Sequence, residues 1–173
     1  MTGRPGAHEF ASYYSTYVDL IGGDDIVGEL QAQLDVTVSV LSGISEEKSL
    51  HRYTADKWSI RQLLNHVSDT ERVFVYRALW FARGFDTALP GFDQNVAVPT
   101  AAAEGLSWAS HVDDFRAVRA ATLTFFRNLP EEAWSRSGVA SGNAVTVRGL
   151  AYIIAGHVAH HIAILRERYL LSA

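Results

Sequence analysis

His157 and His161 stand four residues apart in the run Ala155-Gly156-His157-Val158-Ala159-His160-His161. On a helix that spacing places both imidazoles on one face, one turn from each other. At about 100° per residue, the arc that carries Leu150, Ile153, Ile154, Ile164 and Leu165 centres close to the pair, so both rings point toward an apolar interior. Two buried imidazoles on adjacent turns are costly unless their nitrogens are satisfied. A metal ion can satisfy them, but two protein ligands seldom suffice, and a third must come from another helix. His66 is the candidate. On its own helix it lies at the rim of the apolar arc, near Thr70 and Val73. Three neutral imidazoles suit zinc, nickel, copper or iron, and they leave a coordination position for water or substrate. The plainer alternative is a packed histidine cluster without metal, its nitrogens bonded to neighbouring carbonyls or carboxylates.

The residues around these three offer fewer options. Val158, Ala159 and His160 fill the space between the paired histidines, so the glutamate base of the HExxH zinc-protease motif is missing. His160 falls about 60° to one side of His157, at a cleft edge or on the surface. Asp69, three positions after His66, could orient a ligand imidazole from behind or pair at the surface with Arg72. Glu71 falls nearer the buried arc, where its charge needs a partner, and Arg148 or Arg77 could supply one. Asp93, Gln94 and Asn95 follow a Pro90-Gly91 turn signal. They either hang over the metal and touch substrate or serve the turn itself. Tyr13, Tyr14, Tyr17, Trp58, Trp80 and Trp134 read as packing residues. Asp113 and Asp114 point to different sides of their helix and form a solvated face.

The elements that position these side chains are helical throughout, with no alternating strand pattern in competition. A short aromatic-rich helix spans His8 to Leu20 and closes at Gly22-Gly23. Asp24 or Asp25 caps the next, which runs through Leu41 with Ile26, Leu30, Leu34, Val38 and Leu41 on one stripe. Ser59 caps a helix ending at Gly84, with Ile60, Leu63, Leu64, Val67, Phe74, Ala78 and Phe81 inward. A third long helix extends from about Ser107 to Leu129, stopped by Pro130, and a fourth from Thr146 to Leu170. The expected fold is an all-α antiparallel four-helix bundle with a short extra N-terminal helix, occupying residues 1–173 as one domain. The connection from Gly84 to Leu106 is long for a bundle loop and reads as a lid over the site.

Composition narrows the function further. With 48% hydrophobic and 20% charged residues, the chain is globular rather than disordered. Cysteine is absent, which removes disulfides, thiolate ligands and a cysteine nucleophile together. A net charge of −4 with scattered basic residues argues against nucleic acid as a partner. No apolar run approaches the roughly 18 residues that would cross a bilayer, and Met1 to Gly6 lack the features of a secretory signal. A cytoplasmic location without a membrane partner is expected.

Two runs carry a resemblance. Tyr53-Thr-Ala-Asp-Lys-Trp-Ser-Ile-Arg-Gln-Leu-Leu-Asn-His66-Val-Ser-Asp69-Thr-Glu71-Arg and Ala155-Gly-His157-Val-Ala-His160-His161-Ile-Ala-Ile-Leu-Arg, with Leu89-Pro-Gly-Phe-Asp93-Gln-Asn between them, resemble the DinB/YfiT-like family of bacterial proteins. The resemblance covers about Tyr13 to Leu170. It implies an up-down-down-up bundle whose metal, zinc or nickel, is held by one histidine of the second long helix and a pair on the last. Those positions match His66, His157 and His161. It implies homodimers, and relatives that are thiol-dependent transferases or isomerases using low-molecular-weight thiols, or metal-dependent hydrolases. The functional expectation is therefore a metal-dependent transferase or hydrolase acting on a small electrophile. The alternative is a non-catalytic metal- or ligand-binding bundle.

Overall fold

The computed structural model describes residues 3–171. Met1, Thr2, Ser172 and Ala173 lie outside that range, and with them the first two residues of the Met1 to Gly6 stretch weighed above as a secretory signal. The element order is α1 (Ser15–Val18), α2 (Ile26–Ser42), α3 (Ile60–Ala82), α4 (Gln94–Thr100), α5 (Trp108–Arg127), β1 (Ser137–Ala140), β2 (Asn143–Thr146) and α6 (Val147–Ile164). A π-helical stretch, Leu165–Leu170, extends α6.

Each long helix begins where a short polar side chain can accept from a free first-turn amide. Asp25 accepts from the Gly28 N–H, Ser107 from Ser110 and Thr146 from Gly149. Ser59 forms a reciprocal box with Gln62. Two apolar clusters then define the topology. One gathers Ile26 and Leu30 from the start of α2, Phe74 to Ala82 from the end of α3, Leu123 and Phe126 from the end of α5, and Val147 to Ala155 from the start of α6. The other gathers Leu41 from the end of α2, Ile60 to Val67 from the start of α3, Trp108 to Phe115 from the start of α5, and Val158 to Leu165 from the end of α6. The helices α2 and α6 therefore run one way, and α3 and α5 the other. This is an up-down-down-up bundle. It forces a long crossing between the parallel pair α3 and α5, and the segment 83–107 makes that crossing.

A buried polar network ties all four helices together. The Arg119 guanidinium on α5 pairs with the Glu71 carboxylate on α3 through two bonds of 2.8 Å. Its Nη1 also donates to the Leu30 carbonyl and to Gln33 Oε1 on α2. Gln33 Nε2 in turn donates to the Ala155 carbonyl of α6 at 2.8 Å. The expected partners of Glu71, Arg148 and Arg77, are engaged elsewhere. Arg148 meets Glu9, and Arg77 meets Pro90 and Ser141.

Three expectations about elements need correcting. The leading helix over His8 to Leu20 is broken into two single 3-10 turns, Ala7–Glu9 and Ser12–Tyr14, and the one-turn α1. Tertiary contacts hold it in that shape. The Glu9 carboxylate accepts from the Gly6 N–H, Thr146 Oγ1 and Arg148, and the backbone at Tyr17 lies so close to α6 that a Cβ at Gly156 would overlap the Tyr17 carbonyl. Second, the crossing contains a helix, α4, capped by Asp93. Third, α6 is preceded by a β-hairpin. Its turn, Ser141-Gly142, has positive φ at both positions, 52° and 77°, the two-residue geometry that suits the twist of a hairpin. Leu89 joins its edge, donating to the Val139 carbonyl and accepting from the Ser141 N–H.

Candidate metal centre

The three histidines arrive from two antiparallel helices. His66 sits two turns into α3, and His157 and His161 face it from α6. Both helices are locked by packing on each other, so the rings are presented by rigid backbone rather than by loops. Their Nε2 atoms converge. His157 Nε2 lies 3.2 Å from His66 Nε2 and 3.1 Å from His161 Nε2, and the three donor atoms all fall within 4.8 Å of one another. Nitrogens each about 2.0–2.1 Å from one tetrahedral zinc would stand roughly 3.3–3.4 Å apart. The spacing fits a single shared ion.

The protonation state fits as well. Burial drives the His66 imidazole down to about 4. Burial first, and then the neighbouring His66 and His160, bring His161 to about 3. Burial, followed by His161, His66 and His160, holds His157 well below its ordinary 6.5. All three are neutral near pH 7, the form that donates a lone pair to a metal. His66 Nδ1 faces Thr70 Oγ1 at 3.4 Å, which directs Nε2 inward. Among the described residues, buried His161 Nδ1 has no hydrogen-bond partner. The Trp58 ring covers His66, with centroids 5.0 Å apart, and Tyr17 meets the edges of His157 and His160 at 5.3 and 5.4 Å.

Beside the histidines opens a cavity of about 420 Å³. Its walls include His66, Thr70 and Arg77 from α3, His157 from α6, Tyr14 and Tyr17 from the leading segment, and Asp93, Gln94 and Asn95 from the crossing. The structure thus brings Asp93 and Gln94 to the same cavity as His66 and His157. Asp93 is also the cap of α4, accepting from the Asn95 N–H at 2.8 Å. His160 packs on Tyr17 beside the cluster instead of joining it. Asp69 pairs with Arg72 at 3.2 Å.

Sequence reasoning missed two contributors. The tyrosines of the leading segment, read as packing, form cavity wall. Arg77 also lines it. A signal for Arg77 existed: His66, Thr70, Phe74 and Arg77 recur at helical spacing along one face of α3.

The fold is shared with solved structures. YfiT from Bacillus subtilis, described as a probable metal-dependent hydrolase with an unusual four-helix bundle topology, superposes with a TM-score of 0.69 at 14% identity over 95% of this chain and 91% of its own. A mycothiol-dependent maleylpyruvate isomerase gives a TM-score of 0.69 at 15% identity over 84% of this chain. The match spans 61% of that longer protein. A sequence search of curated proteins gives no match. The family model of the DinB superfamily matches residues 29–165, a range that takes in α3, α5, α6, all of α2 but its first three residues, and the three convergent histidines, and the chain belongs to that superfamily.

Proposed function

We propose that this protein is a metal-dependent enzyme, a thiol-using transferase or a hydrolase, that acts on a small electrophile in the cavity beside His66, His157 and His161. The observation that carries this is the convergence of three neutral imidazole nitrogens at 3.1 and 3.2 Å on an open cavity. A divalent ion such as zinc or nickel held there would supply Lewis acidity and acidify a nucleophile at its remaining position. The two structural relatives, by their descriptions a probable metal-dependent hydrolase and a mycothiol-dependent maleylpyruvate isomerase, are consistent with either branch.

The walls favour the transferase branch. They offer tyrosine and threonine hydroxyls, and among the described residues their one carboxylate, Asp93, caps α4. Water needs a general base or a strong metal effect to become a nucleophile. A low-molecular-weight thiol, with a pKa near about 8.5, needs far less help. The residues' own tasks then follow. Trp58 and Tyr17 fix the ring planes, Thr70 orients His66, and the crossing segment with Gln94 and Asn95 limits solvent entry. The same reading includes a single bundle domain and a homodimer.

Plasma mass spectrometry of the purified protein, alongside His66→Ala and His161→Ala, tests the site. About one equivalent of zinc or nickel in the wild type and loss in both variants is expected. Thiol-conjugation and ester-hydrolysis screens on the loaded protein would then separate the branches. A wild type that neither carries nor takes up zinc, nickel or manganese would leave a packed histidine cluster and a non-catalytic bundle. Light scattering reports the dimer.

A further inference from the structure

Three arginine side chains are deeply buried: Arg61, Arg77 and Arg119, at 5%, 4% and 0% exposure. A buried charge costs several kcal/mol unless it is paired. Arg61 meets the Glu46 carboxylate and Arg119 meets Glu71. Arg77 differs. Among the described residues, its guanidinium forms no ion pair with a carboxylate within 4.0 Å. Its Nη2 donates to the Pro90 carbonyl at 2.9 Å and to Ser141 Oγ at 3.0 Å, and it lies 5.6 Å from the Phe74 ring centroid. Every one of these partners is neutral.

Five N–H groups fan out from a guanidinium. Two, on Nη2, are used on Pro90 and Ser141. Those contacts fasten the crossing and the hairpin to α3, a structural task that a neutral donor could perform. They do not account for a full positive charge in the wall of the cavity that His66 and His157 share. The Tyr14 hydroxyl is in hydrogen-bonding contact with the same guanidinium and stays protonated, because burial and then Tyr13 raise its pKa against the opposing pull of Arg77. It keeps a proton to offer to an acceptor that binds beside the pair.

We propose that Arg77 is the receptor for a carboxylate on the small molecule that occupies this cavity, with the Ser141 and Tyr14 hydroxyls beside it. The proposal rests on the cavity being the substrate site. It narrows the substrate class to a small electrophile or thiol bearing a carboxylate, whose reacting atom extends toward the histidines. A carboxylate suits the site better than a phosphate. A carboxylate carries the single negative charge that one guanidinium balances, whereas a phosphate dianion calls for further cations, and among the described residues Arg77 is the one arginine or lysine lining the cavity.

The experiment is calorimetric titration of the metal-depleted full chain with benzoate and with its uncharged counterpart benzamide. Without metal, the ion cannot capture the carboxylate, so the measurement reports on Arg77. Saturable benzoate binding at least tenfold tighter than benzamide binding is expected. It should weaken at least tenfold in Arg77→Gln and be largely retained in Arg77→Lys. Because Arg77 also fastens the hairpin, the variants are compared only if their circular dichroism matches the wild type, and the wild-type comparison of the two ligands stands without them. Equal binding of benzoate and benzamide overturns the proposal, as does undiminished benzoate binding by a folded Arg77→Gln. Carboxylate binding in a protein that never takes up metal would retain this proposal while removing the metal reading, so the two fail separately.

Discussion

Glu71 and Arg119 are 1% and 0% exposed at their side chains, and each supplies the charge that offsets the other's burial. Removing one partner leaves an uncompensated charge inside the bundle, at a cost of about 3–5 kcal/mol. Glu71→Gln and Arg119→Met should each lower the urea midpoint by that measure. Glu71→Met combined with Arg119→Met should recover most of it, since apolar replacement of both partners is commonly tolerated. Single variants that melt like the wild type would contradict this. The pair also shows where the sequence stops being legible. His157 and His161 announce themselves through a spacing of four on an apolar face. Arg119 sits on the buried stripe of α5 with Phe115, Thr122 and Phe126, and nothing local indicates that its counter-charge lies 48 residues earlier. An ion pair between helices depends on how they face each other, which periodicity within one helix does not encode.

At the scale of elements, the long helices were readable because their starts carry local chemistry: Asp25, Ser59, Ser107 and Thr146 each sit where an unbonded amide needs an acceptor. The leading segment and the hairpin were not. The first takes its shape from partners more than a hundred residues away, and the second has strands of only four residues, too short for alternation to stand out. Glu9 is the anchor of the leading segment. Burial works to raise its pKa, but the bonds from Arg148, the Gly6 N–H and Thr146 outweigh burial and hold it below the ordinary 4.5. The sign follows directly. A carboxyl with a lowered folded pKa contributes stability that is fully present above its unfolded value, and that stability is lost as pH falls through the folded value. Thermal melts between pH 7 and pH 3 should therefore show an acid limb beginning near 4.5 that is shallower in Glu9→Gln. An identical acid limb in both proteins would exclude the anchor role.

At the scale of the whole molecule, the metal-ligand candidates sit where two independently packed apolar clusters meet, and neither cluster needs an ion to close. Chelation should leave the far-ultraviolet circular dichroism unchanged. It should lower the melting temperature only by the linkage term, about 2.7 kcal/mol for a metal at a hundred times its dissociation constant. Collapse of the helical signal would instead mark the ion as structural. The crossing between α3 and α5 has a different consequence. One end is sewn to the hairpin through Leu89 and to α3 through Pro90. The other is held where the Trp108 N–H meets Glu46 and Arg61 meets the Leu106 carbonyl. That second anchorage begins at buried Val98 and Ala103 and at the Glu104 carbonyl, which accepts from Arg61; before it, the stretch 91–97 can change in length and sequence at little entropic cost, about 0.6 kcal/mol per doubling, without disturbing the helices that present the histidines. The molecule is thereby divided into a frame that keeps the histidines in place and an exchangeable cassette. A library confined to that cassette should change which small molecules the cavity admits while the three imidazoles stay where they are.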